Sequence, residues 1–227
     1  MKLLLFDIDG TLLTIQGAGR EALEAALHDL LGRPVSTEAI TFSGKTDPQI
    51  LREILEHHGL YDATRNGMFE RMLEAYRSQL EARLHPERFI LYPGVRSLLE
   101  QLARRHDVCL GLVTGNLEPL AYAKLRVVGL DRFFPFGAFG SDHPDRRRLP
   151  PIAIDRAHRL VGHPFAPDDV IVIGDTDRDI DCARASGVRV VSVCTGRFGR
   201  EHLAPLQPDL LLDDLSDPAP LLALLDG

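Results

Sequence analysis

Met1-Lys2-Leu3-Leu4-Leu5-Phe6-Asp7-Ile8-Asp9-Gly10-Thr11 opens the chain. A short apolar run closed by turn residues has the length and composition of a buried strand. The run ends on two carboxylates, Asp7 and Asp9, two residues apart. Period-two spacing points both the same way if the strand continues, and Gly10-Thr11 lets the chain turn with its amide N–H groups exposed. Carboxylates beside free amides at the rim of a sheet can hold a hard cation and a phosphate together.

Further along, Val108 to Val113, Val170 to Ile173 and Val188 to Val193 are short runs rich in β-branched residues. Between them lie helical patterns at Val95 to Arg105, Pro119 to Val128, Ile152 to Val161 and Ile180 to Ser186. Such alternation predicts an α/β fold, a Rossmann-like parallel sheet with helices on both faces. A weaker strand is expected near Phe133 to Phe139, and a last one at Leu210 to Leu212 before a C-terminal helix.

Residues 14–90 break this rhythm and read as helices only, at Gly19 to Leu31, Pro48 to His57 and Ala63 to Leu84. Thr46-Asp47-Pro48 has the form of a helix start, and Tyr92-Pro93-Gly94 of a turn that returns the chain to the α/β part. The expected organisation is a core of residues 1–13 and 91–227 with an inserted all-helical cap of residues 14–90. A helical insert placed directly after the first strand's carboxylates sits where a lid would.

Composition narrows the partners. The 227 residues are 44% hydrophobic and 26% charged, with a formal charge of −7, which is ordinary globular composition. An acidic balance argues against a nucleic-acid backbone, which needs clustered cations. Only Lys2, Lys45 and Lys124 are lysines, so nearly all positive charge is arginine. Cys109, Cys182 and Cys194 are odd in number and far apart, which points to a reducing compartment. No apolar stretch approaches a membrane span, and the apolar start is too short for a signal segment, so the expected setting is the cytoplasm.

The strand ends carry a coherent polar set. The first offers Asp7 and Asp9, the run ending at Val113 offers Thr114-Gly115-Asn116, and the run ending at Ile173 offers Gly174-Asp175-Thr176-Asp177-Arg178-Asp179. Between them, Arg146-Arg147-Arg148 precedes a helix opening at Pro150-Pro151. Ligands of open α/β sheets bind beyond the carboxyl ends of the strands. Converging carboxylates there need a cation, and an all-oxygen donor set favours Mg²⁺.

Taken together, DxDGT at Asp7 to Thr11, T-G-N at Thr114 to Asn116 and GDxxxD at Gly174 to Asp179 closely resemble the haloacid dehalogenase-like superfamily, in its phosphatase branch with a helical cap. The resemblance spans nearly the whole chain, and its nearest members are phosphoglycolate phosphatase-like and β-phosphoglucomutase-like proteins. It implies a small phosphorylated metabolite as partner, with Asp7 as nucleophile and Asp9 as general acid and base. Mg²⁺ is then held by Asp7, the Asp9 backbone carbonyl and Asp175, with Asp179 in support. Thr114 would bind a phosphoryl oxygen, assisted by the amides of Gly10, Thr11, Gly115 and Asn116.

One departure stands out. The family usually has a lysine in a K-P-x-P setting, where this chain reads Arg148-Leu149-Pro150-Pro151. Arg148 is the matching residue, with Arg146 and Arg147 as alternatives and Lys45 reaching down from the cap as a further cation. Gly44-Lys45-Thr46-Asp47 reads equally well as a substrate loop or as a helix cap. A phosphosugar mutase shares every residue named, and a non-catalytic phospholigand-binding protein is the rival of another class. A monomer is expected.

Overall fold

In the computed structural model, which describes residues 1–61 and 67–226, the opening apolar run is a strand, β1 (Lys2–Phe6), whose last four residues are buried. The chain continues through a short pair, β2 (Leu13–Thr14) and β3 (Ile90–Leu91), and then β4 (Val108–Val113), β5 (Gly137–Ala138), β6 (Val170–Gly174), β7 (Arg189–Val193) and β8 (Leu210–Leu212). Six of these form one sheet of order β5-β4-β1-β6-β7-β8 in which every neighbouring pair is parallel. The strands therefore all end on one edge. Phe6 stands beside Leu112 and Ile173, which sets Asp7 level with the residues that precede Thr114 and Asp175.

Nine helices connect the strands of the described residues: α1 (Ala18–Leu31), α2 (Asp47–His57), α3 (Met68–Glu81), α4 (Val95–Leu102), α5 (Glu118–Val127), α6 (Leu149–Val161), α7 (Asp177–Ala185), α8 (Arg200–Leu203) and α9 (Ala219–Asp226). Alternate strand residues supply the two faces of the sheet. Leu3, Leu5, Val170 and Val172 pack with Ala153 and Ala157 of α6 and Ile180 and Ala183 of α7. Leu4, Phe6, Ile171 and Ile173 pack with α4, α5 and α9 through Leu98, Leu102, Leu120, Leu125 and Leu221. None of these helices is long and apolar enough to cross a membrane.

The second apolar cluster runs on without a break into the inserted segment, through Leu23, Leu27, Leu51, Ile54, Met72 and Leu80. Each such side chain, fully buried, contributes ~1.5–3 kcal/mol, so the segment has an apolar interior of its own that is continuous with the core cluster. Its two stems are joined: Leu13 pairs with Leu91 and Thr14 with Ile90, antiparallel. Between these stems the insert is helical, as expected; only its boundary residues Thr14 and Ile90 are strand, because the backbone groups at the two ends need partners and find them in each other.

Other differences are local. The strand expected near Phe133 to Phe139 shrinks to Gly137–Ala138, since Phe133 and Phe134 are taken up by a short 3₁₀ turn and its end. Helices α6 and α7 each begin three residues before the apolar periodicity does, as their first turns are polar or proline-bearing. The helix predicted from Ala63 begins, in the described residues, at Met68; residues 63–66 lie outside them.

Candidate active site

Asp7 follows β1 with its N–H donated to the Ile173 carbonyl of β6 at 2.9 Å, so the sheet itself fixes its backbone. Asp175 follows β6 and sits between the backbones of Gly10 and Gly196, where a methyl group on either glycine would overlap its carboxylate. Gly10 also needs its left-handed φ of 91° for the turn, which is why glycine follows the second aspartate. Thr11 Oγ1 donates to Asp175 Oδ1 at 3.0 Å, a structural bond from a buried side chain.

Asp179 comes from the first turn of α7. Its Oδ2 accepts from the Thr176 N–H at 3.0 Å and from Thr176 Oγ1 at 2.7 Å, closing the helix start. Its other oxygen, Oδ1, accepts from Arg146 Nη2 at 2.6 Å, and the same Nη2 lies 3.2 Å from Asp7 Oδ1. Asp7, Asp175 and Asp179 are all buried, and each brings a carboxylate oxygen within 4.8 Å of the others.

Three buried carboxylates face one guanidinium. Burial pushes the Asp7 carboxyl up to about 6; Arg146 opposes this, and Asp179 and Asp9 add to it. Burial, then the charges of Asp179 and Asp7, holds Asp175 well above the usual carboxylate range. Arg146 is itself discouraged by burial, yet Asp179 and Asp7 keep it charged. The cluster is thus short of positive charge, and an all-oxygen donor set of this kind is capable of coordinating a divalent cation.

Asp9 occupies a different environment two residues along. Its side chain is not in the cluster: Oδ2 accepts from Asn116 Nδ2 at 2.8 Å and from Lys124 Nζ at 2.6 Å. Asn116 Nδ2 also donates to Thr114 Oγ1 at 2.8 Å, and Lys124 Nζ donates to Asn116 Oδ1 at 2.5 Å. Thr114, Asn116 and Lys124 are buried, and the strand end thus presents a locked polar array beside Asp7.

The inserted segment closes over this floor. The Asp47 N–H donates to the Gly115 carbonyl at 2.8 Å, Thr46 Oγ1 donates to the Pro144 carbonyl at 2.7 Å, and Asp47 Oδ2 accepts from the Leu117 N–H at 2.8 Å. Thr46 also caps α2, accepting from the Gln49 N–H at 3.2 Å, so the helix-cap reading of this stretch holds while the same residues seat the segment on the core. Beneath the cap lies a cavity of ≈ 360 Å³, bordered by Asp7, Asp9, Gly10, Thr114, Gly115, Asn116 and Asp175 from the core and by Arg20 and Lys45 from the insert. The Lys45 ammonium is paired with Glu53.

Of the residues singled out in the sequence, Arg148 and its alternative Arg147 fall outside the site, and the Gly10 and Thr11 amides, expected to be free, are instead taken by the Leu13 and Ile8 carbonyls at 2.9 and 3.3 Å as the turn closes. Arg146–Arg148 form a 3₁₀ turn, which spreads consecutive side chains around its axis, so one of three can face inward. Arg146 is the buried one; Arg147 is tied to Asp145 at 2.9 Å and Arg148 is exposed. Lys124 has no place in the motifs, but a signal for it existed: on α5 it shares the apolar stripe of Leu120, Ala121 and Leu125, where a charged residue is rare unless paired.

The family described as haloacid dehalogenase-like hydrolase matches residues 4–193. The pyrophosphatase PpaX of Listeria innocua is 30% identical over 216 residues, covering 94% of this chain and 93% of that protein. The phosphoglycolate phosphatase of Pseudomonas syringae pv. syringae is 30% identical over 220 residues, covering 94% and 77%. In fold, the chain resembles a predicted phosphoglycolate phosphatase from Haemophilus somnus (TM-score 0.76, 22% identity, 98% of each chain). It also resembles β-phosphoglucomutase from Clostridium difficile (TM-score 0.76, 19% identity, 100% and 97%). The buried aspartate cluster is the kind of catalytic and metal site such enzymes use. The chain belongs to the haloacid dehalogenase-like hydrolases, in the capped branch that holds phosphatases and phosphomutases.

Proposed function

We propose that this protein is a Mg²⁺-dependent phosphatase of a small phosphorylated metabolite, acting through an aspartyl phosphate on Asp7. One observation carries the reading: two aspartates two residues apart on one strand end lie in opposed environments. Asp7 is in the buried acidic cluster, and Asp9 is in a donor-rich grip at the cavity wall. Asp7, fixed by the sheet and by Arg146, is placed to attack, and Asp9, part-exposed at the cavity wall outside the cluster, is placed to exchange a proton with the leaving oxygen.

In the first step an Asp7 carboxylate oxygen attacks phosphorus, the bond to the leaving oxygen breaks, and that oxygen takes the proton of Asp9. In the second, Asp9 takes a proton from water, whose oxygen attacks phosphorus and frees the Asp7 carboxylate together with inorganic phosphate. Asp7, Asp175 and the Asp9 carbonyl would hold Mg²⁺, with Asp179 behind them; the bound ion supplies charge neutralisation for the incoming phosphoryl group. Arg146, in place of Arg148, keeps Asp7 ionised and oriented. Thr114 and the strand-end residues Gly115 and Asn116 would bind phosphoryl oxygens, while Gly10 and Thr11 shape the turn and the seat of Asp175.

The cavity is small, and Arg20, Lys45 and Arg197 border it as well as Lys124 and Arg146. One relative is named a pyrophosphatase and another a phosphoglycolate phosphatase. We take the substrate here to be of that kind, a small phosphate with a second anionic group that faces the cap cations. Residues 14–90 would act as the lid, hinged at the β2–β3 ribbon, and the three unpaired cysteines suit a reducing cytoplasm. The test is a panel of pyrophosphate, phosphorylated acids, sugars and nucleotides, assayed for phosphate release with Mg²⁺. Turnover confined to small dianionic members supports the reading. Metal binding with no turnover of any member overturns it.

A further inference from the structure

Lys124 is the one lysine of the cavity that no motif accounts for. It arrives from the last turn of α5, with only 3% of its surface exposed, and its ammonium meets Asp9 Oδ2 and Asn116 Oδ1 at 2.6 and 2.5 Å. Burying an ammonium costs several kcal/mol unless partners compensate, so a lysine on an apolar stripe needs a reason to be there. Leucine would fill the same position without that cost.

Asp9 needs holding more than its neighbours do. Asp7, Asp175 and Asp179 are enclosed, whereas the Asp9 side chain is 41% exposed and borders the open cavity. Both donors to it land on Oδ2, Asn116 at 2.8 Å and Lys124 at 2.6 Å, leaving Oδ1 unengaged by either. Asn116 is in turn fixed from both ends, by Thr114 Oγ1 and by the Lys124 ammonium. The start of α5 is pinned as well, since the Leu117 N–H is bonded to Asp47 of the cap. A single cation therefore sets the rotamer of the acid–base carboxylate and of the amide that supports it.

We infer that Lys124 is a positioning residue for Asp9, clamping its Oδ2 together with Asn116 so that Oδ1 is presented to the leaving oxygen. This rests on the proposed role of Asp9 as general acid. It assigns Lys124 no contact with substrate: it acts through Asp9.

The leaving group tests this. General acid catalysis matters for an alkyl phosphate, whose alkoxide leaves poorly, and little for p-nitrophenyl phosphate, and kcat/KM reports the step in which that group departs. Lys124→Met is expected to lower kcat/KM for an alkyl phosphate by about 100-fold and for p-nitrophenyl phosphate by less than about threefold. Asp9→Asn should show the same selective loss, and the Asp9→Asn/Lys124→Met double variant should lose no more than Asp9→Asn alone. Should Lys124→Met fail to fold, Lys124→Gln is read in the same way. Equal losses on both substrates, additive losses in the double variant, or no loss would overturn the assignment of Lys124. If Asp9→Asn itself shows no leaving-group selectivity, the proposed role of Asp9 fails, which is a separate outcome.

Discussion

Arg146 Nη2 lies 2.6 Å from Asp179 Oδ1, and both side chains are shut away from water. The same nitrogen is 3.2 Å from Asp7 Oδ1, so one guanidinium spans the acid at the end of β1 and the acid in the first turn of α7. Removing one partner of such a pair costs ~3–5 kcal/mol and leaves an uncompensated buried charge. Arg146→Ala is expected to lower kcat at least ~100-fold with a lower melting temperature, while Arg148→Ala, at an exposed position, stays within about twofold. Arg146→Lys, which keeps the charge but loses the planar fork, should fall between them. Steady-state kinetics of the three variants check this.

Asp175 should report on the metal with effects of opposite sign. In the metal-free protein its carboxylate is destabilised by burial and by Asp179 and Asp7, so Asp175→Asn is expected to melt higher than the parent in chelator. With Mg²⁺ the order should reverse, because a ligand that binds only the folded state stabilises it by an amount growing with its concentration over Kd. Thermal melts with and without Mg²⁺ read both. A rise with Mg²⁺ in Asp175→Asn equal to that in the parent would contradict the assignment.

At Gly115 the backbone of the cap rests directly on the floor. A Cβ there would run into the Lys45 carbonyl and stand 2.9 Å from Thr46 Cα, both backbone atoms with no room to give. Gly115→Ala is expected to lift the Lys45-Thr46-Asp47 loop off its seat, with faster exchange of the Asp47 amide and kcat/KM down by ~10-fold or more. Hydrogen exchange followed by mass spectrometry, together with kinetics, measures the two effects.

Asp47 makes stability depend on pH. Its carboxyl is pushed up to about 6, by burial above all, against the Lys124 charge and the Leu117 N–H bond. A folded-state value above the unfolded one means that the folded chain holds the proton more tightly. Below the unfolded value the group costs nothing; as pH climbs through about 6 the cost grows to about 3 kcal/mol. Asp47→Asn is therefore expected to gain more in melting temperature at about pH 8 than at about pH 5, at ~2–4 °C per kcal/mol. Melts across pH in chelator show whether the difference widens upward.

Much of this arrangement is legible in the sequence because it depends on local pattern. The apolar run ending at Phe6 and the β-branched runs ending at Val113 and Ile173 announce parallel strands, and the polar residues directly after each run make up the site. The cation is misplaced from sequence alone because three adjacent arginines look alike, and only the pitch of the 3₁₀ turn separates Arg146 from Arg148. Lys124 lies eight positions beyond the Asn116 it supports, on a helix face, where contact is made by packing rather than by motif spacing. The β2–β3 pairing is hidden because each strand is two residues long and finds its partner across the entire insert.

The central claim is that Asp7 takes the phosphoryl group before water does. The stereochemical course at phosphorus, followed with an isotopically chiral phosphorothioate ester that the enzyme hydrolyses, tests it most directly. Two successive in-line displacements give net retention of configuration, which is the predicted result. Inversion would mean one direct attack by water, and the aspartyl phosphate would be contradicted.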